Sequence, residues 1–200
     1  MKIIGITGGV GSGKSEVLKL IDSMCECTIV VADELARSLE VRGEVCYDPL
    51  VELLGSEVLD ERGEIDPAKM AGVIFADGNE EILAGVNGIV HPAVKERILS
   101  MIKDAEESGQ TDLFLIEAAL LIEDGYDRIV DELWYIYADE AVRRSRLKNS
   151  RGYSDTKIDD IMDSQSSDDV FRQHCSVVID NSGSIEDTKK QLRAILGRSQ

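Results

Sequence analysis

The chain has 200 residues, 43% hydrophobic and 30% charged, the mix of one ordered domain with a real core rather than a disordered segment. Its 39 acidic against 22 basic residues give a formal net charge of -17, which repels nucleic-acid backbones and anionic lipid and argues against both as partners. The four cysteines (Cys25, Cys27, Cys46, Cys175) and two histidines (His91, His174) lack the spacing of a zinc or iron–sulfur site. No charged-then-apolar leader opens the sequence and no stretch approaches a membrane span, so a reduced, cytoplasmic protein is expected.

Lys2 to Thr7 reads as a short buried strand, followed by a glycine-rich loop and a helix from about Lys14 to Met24. Thr28 to Val31 is a second buried strand, with Asp33 just past its carboxyl end. Helical patterns fill the long interval that follows. Asp66 is placed to cap one helix with Pro67 in its first turn. His91 precedes another, expected to begin at Pro92, with Val94, Ile98, Met101 and Ile102 as its apolar face. Leu113–Ile116, Leu133–Tyr137 and Val177–Ile179 are three further strands, the first ending at Glu117 and the last at Asp180. Ser184 and Asp187 have capping-box spacing for the terminal helix. Continuous apolar strands separated by helices predict an α/β fold with a parallel sheet covered on both faces. Residues 1–200 are read as a single domain, with an inserted helical segment at about 38–108 and a lid at about 139–169.

Gly8-Gly9-Val10-Gly11-Ser12-Gly13-Lys14-Ser15 fits G-x-x-x-x-G-K-[ST] at every required position. Glycines let backbone N–H groups turn inward around phosphate oxygens, and the following helix presents its positive end to the same charge. Lys14 is expected to reach the β- and γ-phosphates and the Ser15 hydroxyl to ligate magnesium. Asp33 lies where open parallel sheets place ligands. There it can orient an acceptor hydroxyl or bind magnesium through water, or it can cap a helix over Glu34–Leu39. Arg143, Arg144, Arg146, Lys148 and Arg151 concentrate positive charge in an acidic chain; they suit a closing lid or a solvated helix face. Asp60-Glu61-Arg62-Gly63 matches the D-x-x-G of a GTPase switch, but it follows no strand and no N-K-x-D segment accompanies it.

Several segments in fixed order narrow this further: I-T-G-G-V-G-S-G-K-S at Ile6–Ser15, V-A-D-E-L-A-R at Val31–Arg37 and I-F-A-D at Ile74–Asp77. H-P-A-V at His91–Val94, L-L-I-E at Leu120–Glu123 and V-I-D-N-S-G at Val178–Gly183 complete the series. In these the chain resembles the dephospho-coenzyme A kinase family over essentially its whole length. The resemblance implies a nucleoside-monophosphate-kinase-like three-layer fold, with a five-stranded parallel sheet, a helical acceptor-binding insertion and a lid. It implies use of ATP and Mg2+ to phosphorylate the ribose 3'-hydroxyl of dephospho-coenzyme A, the last step of coenzyme A biosynthesis, by a monomer or weak homo-oligomer. Carried over by motif, Gly9, Gly11, Ser12, Gly13, Lys14, Ser15 and Glu16 line the ATP phosphates. Asp33, with Lys14 and Arg146, is catalytic, Arg37 and His91 join Asp33 on the acceptor side, Asn181 is near the adenine, and Arg143 and Arg146 are lid arginines. The sequence departs from the family pattern at Glu16 (threonine in the family), Pro67 (arginine), Ala119 (proline) and in the lid at Ser150–Arg151. Those departures keep two alternatives in view, a kinase for another small metabolite and a weakly active or non-catalytic paralogue.

Overall fold

The apolar segment K-I-I-G-I-T forms β1 (Lys2–Thr7), whose last four positions are all buried. The computed structural model describes residues 1–76, 78–118, 121–122 and 124–197. Asp77, Ala119, Leu120 and Glu123, part of the resemblance above, lie outside the described residues. In chain order β1 is followed by α1 (Lys14–Asp22), β2 (Cys27–Val31), α2 (Ala32–Leu39), α3 (Tyr47–Leu54), α4 (Pro67–Ile74) and α5 (Glu80–Ser108). Then come β3 (Leu113–Glu117), β4 (Glu132–Tyr137), α6 (Glu140–Arg151), α7 (Asp155–Asp163), α8 (Asp168–His174), β5 (Val177–Asp180) and α9 (Ile185–Leu196).

The expected five-stranded parallel α/β sheet is present, in the order β2-β3-β1-β4-β5. Ile6 pairs with Glu117 on one side of β1, and Thr7 with Tyr135 on the other. Burial follows this order. The central strands β1, β3 and β4 are apolar on both faces, with Ile4, Ile6, Phe114, Leu115, Ile116, Trp134 and Ile136 almost inaccessible. Each such side chain contributes roughly 1.5–3 kcal/mol by leaving water. The edge strand β5 alternates instead, and Val178 is exposed. Continuous apolarity therefore predicts the strand correctly but not its edge position.

Two compact units divide the chain. One comprises residues 1–29 and the chain from 108 onward; the other is Val30–Glu107. Within the first, α1 ends at Asp22 rather than Met24, because the amides of Met24 and Cys25 both turn back onto the Ile21 carbonyl. In α9 the expected capping box is formed: Ser184 Oγ accepts from the Asp187 amide, and Asp187 Oδ2 accepts from the Ser184 amide at 3.2 Å.

The second unit is helical. Asp66 Oδ1 accepts from the Ala68 and Lys69 amides at 2.8 and 3.1 Å, with Pro67 opening α4 as expected. Such a cap is worth about 1 kcal/mol. The D-x-x-G match is a turn: Asp60 Oδ1 accepts from the Arg62 and Glu64 amides at 2.8 and 2.9 Å, and the two chain segments meet at a Leu59–Ile65 bridge. The Glu64 amide, with that of Arg62, holds the Asp60 carboxyl below its usual range. One expectation is overturned here. The helix containing His91 does not begin at Pro92; α5 runs straight through both residues from Glu80. Val86, Val90, Val94, Ile98 and Ile102 recur every four residues and bury one continuous face, which outweighs the missing donor at Pro92.

Candidate active site

Between β1 and α1 the chain must reverse within six residues, Gly8 to Gly13, and it does so through left-handed glycines. Gly11 has φ 81° and Gly13 φ 90°. A Cβ at Gly13 would stand 2.4 Å from Asn181 Nδ2, so both the dihedral and the neighbour demand glycine there. Lys14 Nζ folds back to donate to the Gly8 carbonyl at 2.9 Å and pairs with Glu117 Oε1 at 3.4 Å. Its side chain is 15% exposed and that of Glu117 13%. The amides of Lys14 and Ser15 open α1 and have no acceptor within the helix. Among the described residues, the hydroxyls of Thr7 and Ser12 are buried without a hydrogen-bond partner. A buried unpaired hydroxyl, unpaired helix amides and one lysine around a glycine turn are the donor set that a polyphosphate satisfies. Glu16 is exposed in the first turn of α1, where a carboxylate favours the helix dipole.

The basic cluster of α6 splits into two faces. Arg143 and Arg146, three residues apart on the same side of the helix as the buried Leu147, both reach the loop. Arg143 Nε donates to the Val10 carbonyl at 2.9 Å, and its Nη2 donates to Gln165 Oε1 at 2.8 Å. The same Gln165 oxygen accepts from the Val10 amide at 3.1 Å, so both polar groups of Val10 are held. Arg146 Nη1 donates to Ser12 O at 3.1 Å and Gly11 O at 3.4 Å, and its Nη2 to Asn181 O at 2.8 Å. The other face is surface pairing: Arg144 with Glu140 and Asp159 at 2.7 and 2.6 Å, and Lys148 with Asp155 at 2.6 Å. Asn181 is 4% exposed; its Nδ2 donates to Ser12 O at 2.8 Å and its Oδ1 accepts from the Thr188 hydroxyl at 2.9 Å. Between β4 and α8, Tyr135 stacks on Phe171 at 4.8 Å and donates to Asp168 at 2.5 Å. Burial and that carboxylate push the Tyr135 phenol up, so it stays a donor.

Asp33, Arg37 and His91 belong to the second unit. Asp33 is not a helix cap: α2 begins at Ala32 with Val31 as its N-cap, which puts Asp33, exposed, in the first turn. Arg37 is also exposed, four residues on, so the two share one face of α2. His91 is half-buried within α5. Among the described residues no three His, Cys, Asp or Glu side chains cluster closely enough to hold a metal ion by themselves.

Residues 2–187 match the dephospho-CoA kinase family. The chain belongs to that family. Dephospho-CoA kinase from Carboxydothermus hydrogenoformans is 36% identical over 196 residues, which is 98% of this chain and 93% of the relative. A crystal structure of a Thermus thermophilus protein superposes with a TM-score of 0.81 at 28% identity, over 98% of this chain and 97% of that one. Dephospho-CoA kinase from Campylobacter jejuni shares the fold, with a TM-score of 0.73 at 19% identity, covering 100% and 98% of the two chains.

Against that family background, the sequence assigned no site role to three residues of the loop's surroundings: Glu117, read only as a strand end, Gln165 and Thr188. Glu117 carried the clearest signal, an acid ending a strand that neighbours β1. Gln165, in the bend between α7 and α8, and Thr188, within α9, sit in ordinary polar contexts and carried none.

Proposed function

We propose that the protein transfers the γ-phosphoryl group of ATP to the ribose 3'-hydroxyl of dephospho-coenzyme A. The observation that carries this reading is family membership over nearly the full chain together with an intact phosphate loop at the carboxyl end of β1. Gly9 to Glu16 would supply amides to the phosphates, with Lys14 moving from Glu117 to the β- and γ-phosphates as charge develops there. Mg2+ bound with ATP would neutralise phosphate charge, and the Ser15 hydroxyl would ligate it. Asp33 would orient the acceptor hydroxyl and take its proton late in transfer, when the bond to the leaving group is already loose. Arg37 and His91 would bind the acceptor within the segment of about 38–108 and its flank, and Asn181 would border the nucleotide. Arg143 and Arg146, on a lid of about 139–169, would bring two positive charges to the loop and fix its shape, Arg146 serving the transfer most directly. The reading includes a cytoplasmic enzyme acting as a monomer or weak homo-oligomer, with no nucleic-acid or membrane partner. A coupled ADP-release assay across dephospho-coenzyme A, AMP, other nucleotides and sugar acids tests it. Dephospho-coenzyme A should give the highest kcat/KM; preferential turnover of any other acceptor overturns the substrate assignment.

A further inference from the structure

A trans peptide sets its carbonyl and the following N–H on opposite sides, so whatever holds one aims the other. No cis peptide occurs among the described residues. The Ser12 carbonyl receives two donors, Asn181 Nδ2 at 2.8 Å and Arg146 Nη1 at 3.1 Å. That fixes the Gly13 N–H facing away from Asn181 and α6. Gly13 is the residue immediately before the two unpaired amides of α1, and it takes the left-handed φ of 90°.

The direction of the Asn181 amide is itself set by chemistry. A carbonyl can only accept, so Ser12 O selects the NH2 end; Oδ1 must then face Thr188, whose hydroxyl donates to it. Asn181 is 4% exposed and Thr188 is 0% exposed, so water has no route to replace that hydrogen. Without it, Oδ1 would be buried with no donor, a cost that rotating the amide or shifting the side chain off the Ser12 carbonyl would relieve. The α9 capping box anchors Thr188 one residue after Asp187.

We propose that Thr188 is a positioning residue for nucleotide binding: it sets the Asn181 amide, which holds the Ser12 carbonyl and so aims the Gly13 N–H at the β-phosphate. This rests on the phosphate-loop kinase reading above, and goes beyond it by assigning a role in phosphate recognition to a side chain on the last helix. The aimed amide serves the β-phosphate, so Thr188 should distinguish ADP from AMP.

Calorimetric titration of ADP and of AMP against wild type, Thr188→Val and Thr188→Ser reads this directly. Valine keeps the shape and removes the hydroxyl; serine keeps the hydroxyl and removes the methyl. The expected result is ADP affinity about tenfold weaker in Thr188→Val with AMP affinity within about twofold, and serine close to wild type for both. Unchanged ADP affinity in a folded valine variant overturns the proposal. Equal losses for ADP and AMP also overturn it, because the pair would then recognise the nucleoside. Serine as weak as valine overturns it too, since the methyl packing and not the hydrogen bond would matter. Should the valine variant not fold, Thr188→Ala takes its place with the same expected pattern. If wild type bound no ADP, the phosphate-loop reading would fall first and this inference with it.

Discussion

Asp33 shows what a single residue's position can carry. It stands exposed in the first turn of α2, and the cap of that helix is Val31, so Asp33→Asn removes a charge without removing a cap. Circular dichroism and ATP affinity should be unchanged, while kcat toward dephospho-coenzyme A should fall by roughly 10²-fold. A folded asparagine variant with native kcat would remove Asp33 from the chemistry. Glu16 tests the opposite expectation. Its exposed carboxylate lies beside the phosphate loop, yet it favours the helix end it occupies. Glu16→Thr should change ATP affinity by less than about tenfold; a larger gain would mean that the native residue repels the nucleotide. At this scale the motif made the loop between β1 and α1 legible, because the glycine spacing and the lysine after it mark a strand–loop–helix turn. The braces were not legible, because Val10 bonds Gln165 across 155 positions and Asn181 bonds Ser12 across 169. No local pattern encodes such pairs, and only the fold brings them together.

At the level of elements, the strands and caps were readable because each leaves a local chemical trace. Apolar runs gave the strands, and Asp66-Pro67 and Ser184-Asp187 gave two helix starts that the structure contains. The edge position of β5 was not readable, since Val178 differs from a central valine only in what covers it. Pro92 misled for a similar reason. Locally it stops a helix, but the four-residue recurrence from Val86 to Ile102 spans it and packing decides the outcome. Pro92 is exposed and gives no N–H to the Gly88 carbonyl, so Pro92→Ala should restore that bond at little packing cost. Denaturant unfolding should show a gain of roughly 1 kcal/mol or more, part of the penalty of a helix-interior proline. A loss would show that the Pro92 ring itself supports the packing of α5.

Across the whole molecule, a chain of formal net charge -17 keeps its phosphate loop flanked by Lys14, Arg143 and Arg146. Acidic surface elsewhere discourages polyanions in general, while this local concentration favours one bound at the loop. The two arginines donate to carbonyl oxygens of Val10, Gly11, Ser12, Asn181 and the Gln165 side chain. Those bonds tie the β1–α1 loop to α6 and to the β5–α9 connection. The most direct test of the function is 31P NMR of the reaction with ATP, Mg2+ and dephospho-coenzyme A. A dephospho-CoA kinase gives a new phosphomonoester on the ribose 3'-oxygen, formed mole for mole with ADP. Lys14→Ala should slow that signal hundreds-fold, or about 3–4 kcal/mol of lost transition-state stabilisation. ADP formed without acceptor phosphate, a phosphate on any other oxygen, or Lys14→Ala keeping more than about a third of turnover would contradict it.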